Sequence, residues 1–325
     1  MKNAIRSLGL TLPVLAVTLA ATVMRSVACL RDMDYSTGFF GGSLTATVAN
    51  WAMLLVVAVL LSALIIKVEK PSLRPSFSGP LTYLPSGVLA IALLFLSIEI
   101  LQYVHEPLYL LFEYGFKAIK LSAVALAVSL LAALLALVAV AYCAASVLIS
   151  EPRNILRANL GMFAALFFAI YAAFLFFRGG ASINQPQRVL TEITVLAAAI
   201  FFLEETRVSL GRERWRAYFV FGGITALLSF YNCVPALILY AFKGELLTSG
   251  IAELMLAPAL LLFSVCRLIS NSIRADEKPS PYAVAISASA PEEKDAPEEE
   301  LSQISIEEVV ENDERQTADE EDPGN

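Results

Sequence analysis

Arg178 to Arg216 reads RGGASINQPQRVLTEITVLAAAIFFLEETRVSLGRERWR, and the fold class turns on how that stretch is divided. From Pro186 to Leu203 it is mostly apolar. Amides and a proline precede this run, and Glu204, Glu205, Arg207 and the basic turn RERWR follow it. An apolar helix held at both ends by polar anchors is the pattern of a membrane span, in which about 20 residues at 1.5 Å each cross the hydrocarbon. Proline near the first helical position starts such a helix well, because its missing N–H has no partner there anyway.

Working outward, seven further stretches have the same character, at roughly 8–24, 47–66, 84–104, 121–149, 159–177, 217–242 and 247–269. With 186–203 they predict an all-α integral membrane protein, a bundle of about eight transmembrane helices occupying 1–274. The chain as a whole is 58% hydrophobic, against roughly 45–50% in soluble domains, and that excess needs lipid to face. The basic start MKNAIR before an apolar run resembles a signal peptide. Arg25, however, interrupts the place where small residues should lead to a cleavage site, so an uncleaved first helix is expected.

Charge is unevenly placed. Asp276 to Asn325 holds 17 acids against Lys278, Lys294 and Arg315, a net of −14, whereas the preceding residues carry 13 acids and 20 bases, a net of +7. Such a segment cannot bury enough apolar surface to offset its ordering entropy, so residues 275–325 are expected to form a disordered acidic tail. An exposed acidic tail would repel phosphate, which argues against nucleic acid as a partner. Alternating the connections from side to side puts 14 Lys and Arg on the side of both termini and seven on the other, which predicts that both termini are cytoplasmic.

Several local features have two readings each. Arg31 to Gly42 carries Asp32 and Asp34 and is either a solvated turn or a cation site. Pro107 to Lys120 has apolar residues at helical spacing and is read as an amphipathic helix in the outer interface, or as an extension of the fourth span. Ala125, Ser129 and Ala133 place small residues four apart, which permits close helix contact in lipid. Pro71, Pro75, Pro80 and Pro85 mark a stiff loop.

Polar groups within apolar spans are costly and mark candidate sites. Glu192 lies about 9 Å inside a helix that begins at Pro186 and has Arg188 four residues earlier on the same face, so it is either half of a structural ion pair or a substrate or proton group. Arg207 is some 22 Å further along that helix and is no direct partner for it. Glu99 near the end of the third span is either a relay group or a carboxylate reaching the interface, and Glu253 has the same ambiguity. Asn184 is a helix-initiating residue or a ligand contact. Arg207, Arg212, Arg214 and Arg216 are anchors with Trp215 at the interface, or contacts for lipid headgroups or the acidic tail. Four scattered cysteines and the single His105 give no Cys/His metal set, and no cofactor or catalytic motif is legible.

On Ile183, Asn184, Pro186, Arg188, Phe202, Leu203, Glu205, Arg207 and Gly211 the chain resembles a group of polytopic membrane proteins of anaerobic Gram-positive bacteria, in which an external INxP element leads into a helix ending FLxExR. The resemblance implies a bacterial cell membrane location and no activity. Three functions follow as expectations: a membrane scaffold or sensor-like interaction protein whose partners are the bilayer and a protein met by the tail; a transporter or permease using an intramembrane carboxylate; and, least supported, an enzyme.

Overall fold

The computed structural model describes residues 2–34, 38–64, 79–114, 120–149, 151, 153–178, 185–212, 214–247 and 250–273. Among these are eight helices: α1 (Lys2–Arg31), α2 (Leu44–Ser62), α3 (Pro80–Tyr114), α4 (Lys120–Leu148), α5 (Ile155–Phe177), α6 (Pro186–Ser209), α7 (Trp215–Lys243) and α8 (Ile251–Ile273). Seven are long and apolar enough to cross a membrane; the eighth, α6, carries five charged side chains. The chain is a polytopic helical membrane protein. Two strands of two residues each, β1 (Met33–Asp34) and β2 (Phe39–Phe40), pair antiparallel with Met33 opposite Phe40. The predicted acidic tail, the Pro71–Pro75 part of the stiff loop and Asn184 lie outside the described residues.

Helices α3 to α8 form a ring in which each packs on the next and α8 returns to α3; α1 packs on α7 and carries α2 with it. The interior of the ring is aromatic. Phe167, Phe168 and Tyr171 of α5, Phe201 and Phe202 of α6, Tyr218 of α7 and Phe263 of α8 are all buried. Phe202 and Phe263 stack with centroids 5.2 Å apart at 9°, and Phe168 lies 4.9 Å from Phe202. A second cluster joins Ala21 of α1, Met53 and Val56 of α2, Leu190 and Ala197 of α6 and Leu228 of α7. In lipid no hydrophobic force drives helices together, so contacts of this kind stabilise by close packing.

Local chemistry sets the helix limits. Asn154 caps α5, its Oδ1 accepting from the N–H groups of Leu156 and Arg157 at 3.0 and 3.2 Å. Ser43 caps α2 by accepting from Ala46, and its own hydroxyl donates to Asp32 at 2.6 Å, so that loop carboxylate is engaged in helix initiation. Pro186 occupies the first turn of α6 as expected, and Gly244 ends α7 in the left-handed conformation at φ 69°.

Several helix limits differ from the apolar runs, and three large differences are at C-terminal ends. The helix of the first run extends through Arg25 to Arg31, because Arg25 is buried against neighbouring helices and does not end at solvent. The third helix continues through Pro107 to Tyr114, so the first half of the expected interfacial helix belongs to α3, with 115–119 outside the described residues. The sixth continues past Leu203 to Ser209, since Glu204 and Glu205 are buried within it. The small-residue stripe of α4 does face its neighbour: Ser129 and Ala133 are buried, and Ser97 of α3 donates to the Ala133 carbonyl at 3.5 Å.

Two glycines test this packing. A Cβ on Gly161 of α5 would stand 2.6 Å from Thr206 Oγ1, which is held by donating to the Phe202 carbonyl, and 3.1 Å from the Tyr142 ring. A Cβ on Gly223 of α7 meets nothing within 4 Å. Thermal unfolding in detergent should therefore show Gly161→Ala destabilised by about 1–3 kcal/mol from overpacking. Gly223→Ala should be neutral or stabilised by up to about 1 kcal/mol through helix propensity.

Candidate functional site

Polar side chains gather at the two ends of the bundle. At the end where α6 and α8 begin, two clusters form. The first joins α3, α5 and α8. Arg178, the residue that closes α5, donates to Glu253 at 3.2 Å and to Glu99 at 3.5 Å; it also donates to the Tyr103 hydroxyl and lies 4.0 Å from the centre of that ring. The other oxygen of Glu99 accepts from the backbone N–H of Ala252 at 3.0 Å, in the first turn of α8. A helix start offers unpaired N–H groups and a positive dipole end, so both Glu99 and Glu253 are well placed there. A Cβ on Gly250 would fall 2.0 Å from Glu99 Oε1, which makes the close approach of carboxylate and backbone dependent on glycine.

The second cluster joins α1, α2, α6 and α7. Arg25 is 1% exposed. It donates through Nη1 to Asn50 Oδ1 at 2.9 Å and through Nη2 to Gln187 Oε1 at 2.9 Å. Tyr231 donates to the same Asn50 oxygen at 2.7 Å, and its ring centre lies 5.0 Å from the guanidinium carbon, with that of Phe40 at 5.7 Å. Gln187 in turn donates to Asn232, which donates to Thr191 Oγ1 at 3.3 Å. Among the described residues no carboxylate lies within 4.0 Å of Arg25, and its buried Nε meets no acceptor.

At the opposite end, Arg267 of α8 pairs with Glu205 of α6, both side chains 1% exposed. Its Nε donates at 2.7 Å, and its Nη1 reaches Thr82 of α3 at 3.4 Å. Asn271 donates to the Tyr218 hydroxyl at 2.8 Å beside this pair. Arg157 of α5, also buried, donates to Ser209 at 3.3 Å and to the carbonyls of Ile149 and Glu151 at 3.1 and 2.7 Å, tying the α4–α5 connection to the end of α6.

The residues singled out in the sequence are thus distributed over three places. Glu192 pairs with Arg188 at 3.2 Å, as their spacing suggests, and Arg188 also donates to the Phe176 carbonyl. Glu99 meets Arg178 and α8, two helices away from Glu192's partner. Arg207 pairs with Glu204 at 2.5 Å three residues away, at the far end of α6 from Glu192. Arg212, Arg214 and Arg216 are exposed, while Trp215 is buried against Tyr218 and Phe219. Sequence reasoning left out Arg25, Arg157 and Arg267 as parts of built polar clusters. The available signal was their type: an arginine directly following or within an apolar run needs a partner. The partners themselves, Asn50, Gln187, Ser209 and Glu205, come from helices distant in sequence.

Comparison with family models, with curated proteins and with solved structures returns no match for this chain. The chemistry is therefore read from the clusters alone. Two of them, around Arg178 and Arg267, are internally paired and hold helices together. The Arg25 cluster holds a cation among neutral groups.

A buried pair of this kind is strongly destabilised when one partner is removed, since the other charge is then left unpaired. Arg267→Met should lower unfolding stability in detergent by about 3–5 kcal/mol, and the double variant Glu205→Leu, Arg267→Met should recover most of that loss.

Proposed function

We propose that this protein is a membrane scaffold or sensor-like interaction protein, with the helical body as its anchor in a bacterial cell membrane, both termini in the cytoplasm and the acidic tail as its partner site. The observation that carries the reading is the use made of the body's acidic groups. Glu99, Glu192, Glu204, Glu205 and Glu253 each have an arginine nitrogen within 4.0 Å. Carboxylates paired in this way are occupied in holding helices or turns of helix together. The largest concentration of acidic residues in the sequence is then the tail, with its net of −14. Long-range attraction of that strength favours a basic partner surface and falls with salt. The resemblance at Ile183–Gly211 supports the bacterial setting, and the positive-inside count supports the orientation.

A transporter or permease is the second reading. It is favoured by Glu192, whose side chain at 22% exposed is the most accessible of these five glutamates and whose partner Arg188 is on its own helix, so the pair can open without separating helices. Exposed Arg212, Arg214 and Arg216, with half-buried Arg207 beside them, suit lipid headgroups or the tail itself in either reading.

Co-purification from membranes distinguishes the two. The intact chain is expected to retain a protein that a chain ending at Arg274 loses, with the loss reproduced by high salt. Identical partner sets for the two chains would remove the tail from the account. A change in solute flux or proton coupling on Glu192→Gln would favour transport instead.

A further inference from the structure

A cleft of about 380 Å³ opens between α1, α2, α6 and α7 beside the Arg25 cluster. One end of it is polar, made by Arg25, Asn50 and Tyr231; the remaining walls, among them Met53, Val57 and Leu190, are apolar. Leu54 and Ile193 also line it and are 59% and 49% exposed, so the cleft is open sideways, on the surface that faces lipid. Its volume lies within the range of small-ligand sites, roughly 300–1,000 Å³.

The polar end has a charge imbalance. A guanidinium keeps its charge in proteins, and an isolated charge removed from water is costly unless it is paired. The amide oxygens of Asn50 and Gln187 and the two ring faces supply only partial compensation. The buried Nε donor has no acceptor among the described residues. Arg25 is six residues short of the end of α1, about 9 Å along the helix. That depth matches the boundary between headgroups and acyl chains, about 5–10 Å below the surface.

We infer that this cleft is a binding site for an anionic phospholipid, which enters from the bilayer with one acyl chain along the apolar walls and its phosphodiester on Arg25 and Asn50. Anionic lipids fit the site better than zwitterionic ones because Arg25 has no carboxylate within 4.0 Å among the described residues. A phosphate that carries its own ammonium group brings no net charge to it. Tyr231 and Gln187 orient the guanidinium, Tyr231 by sharing the Asn50 oxygen with it and Gln187 by accepting from Nη2. The residues that line the site all belong to the helical body, so it is tested with or without a protein partner.

The test uses the full chain in neutral detergent, offered equal amounts of phosphatidylglycerol and phosphatidylcholine, with retained lipid measured by native mass spectrometry. The wild type is expected to retain phosphatidylglycerol by about tenfold over phosphatidylcholine, and Arg25→Gln to abolish that preference. Leu54→Trp, at an exposed wall position where folding is undisturbed, is expected to lower phosphatidylglycerol occupancy with an unchanged unfolding temperature. Equal retention of the two lipids, a preference that survives Arg25→Gln, or unchanged occupancy in Leu54→Trp would overturn the proposal. So would displacement by an excess of inorganic phosphate, which would make this a soluble-anion site.

Discussion

The ion pair between Glu205 and Arg267 is the constraint on which the ring of helices depends. Neither group is tolerable alone in a bilayer interior, and each belongs to a different helix, so α6 and α8 are fixed in register wherever the chain is folded. The reach of Arg267 to Thr82 extends the constraint to α3. Aromatic stacking then has a defined geometry to fill: Phe202 meets Phe263 along the same two helices that the pair aligns. Packing in lipid is non-directional, whereas a forked guanidinium is directional. A ring of alanine-rich and leucine-rich helices would otherwise have many rotations of similar energy.

The two ends of the bundle solve the same problem differently. Between Arg267 and Glu205, charge is matched by charge and covered by protein. At the Arg178 end, two carboxylates share one arginine, and the start of α8 makes up the difference with a backbone N–H. Around Arg25 the balance is incomplete, since the acceptors are amides and ring faces. These three solutions explain why the charged residues of the body, few as they are, concentrate at helix ends and leave the middle of the ring to phenylalanine and alanine.

The helical membrane class and the number of helices were legible from apolar run lengths alone, because a span has to satisfy its own backbone and cover itself with apolar side chains. The Arg188 and Glu192 pair was legible too, being set by one helix's periodicity. Helix ends were not: runs were cut at Arg25 and at Glu204, charges that tertiary partners bring inside. Glu99 shows the limit most clearly. Read on its own helix it had either a cavity or the interface to face; its actual partners are Arg178 and Ala252, which no local pattern connects to it. The Arg25 site was hidden for the same reason, as its four walls come from four helices.

The arrangement around Glu99 has a consequence for how the protein is made. Its salt-bridge partner lies 79 residues later in the chain, and the backbone amide it caps lies 153 residues later. During synthesis α3 therefore enters the membrane with a carboxylate whose stabilising groups do not yet exist. It must be kept near water until α5 and then α8 arrive. Helix α8 is not simply appended to a finished bundle: its first turn discharges an electrostatic debt that the third helix has carried since insertion, and its own integration coincides with the closing of the ring.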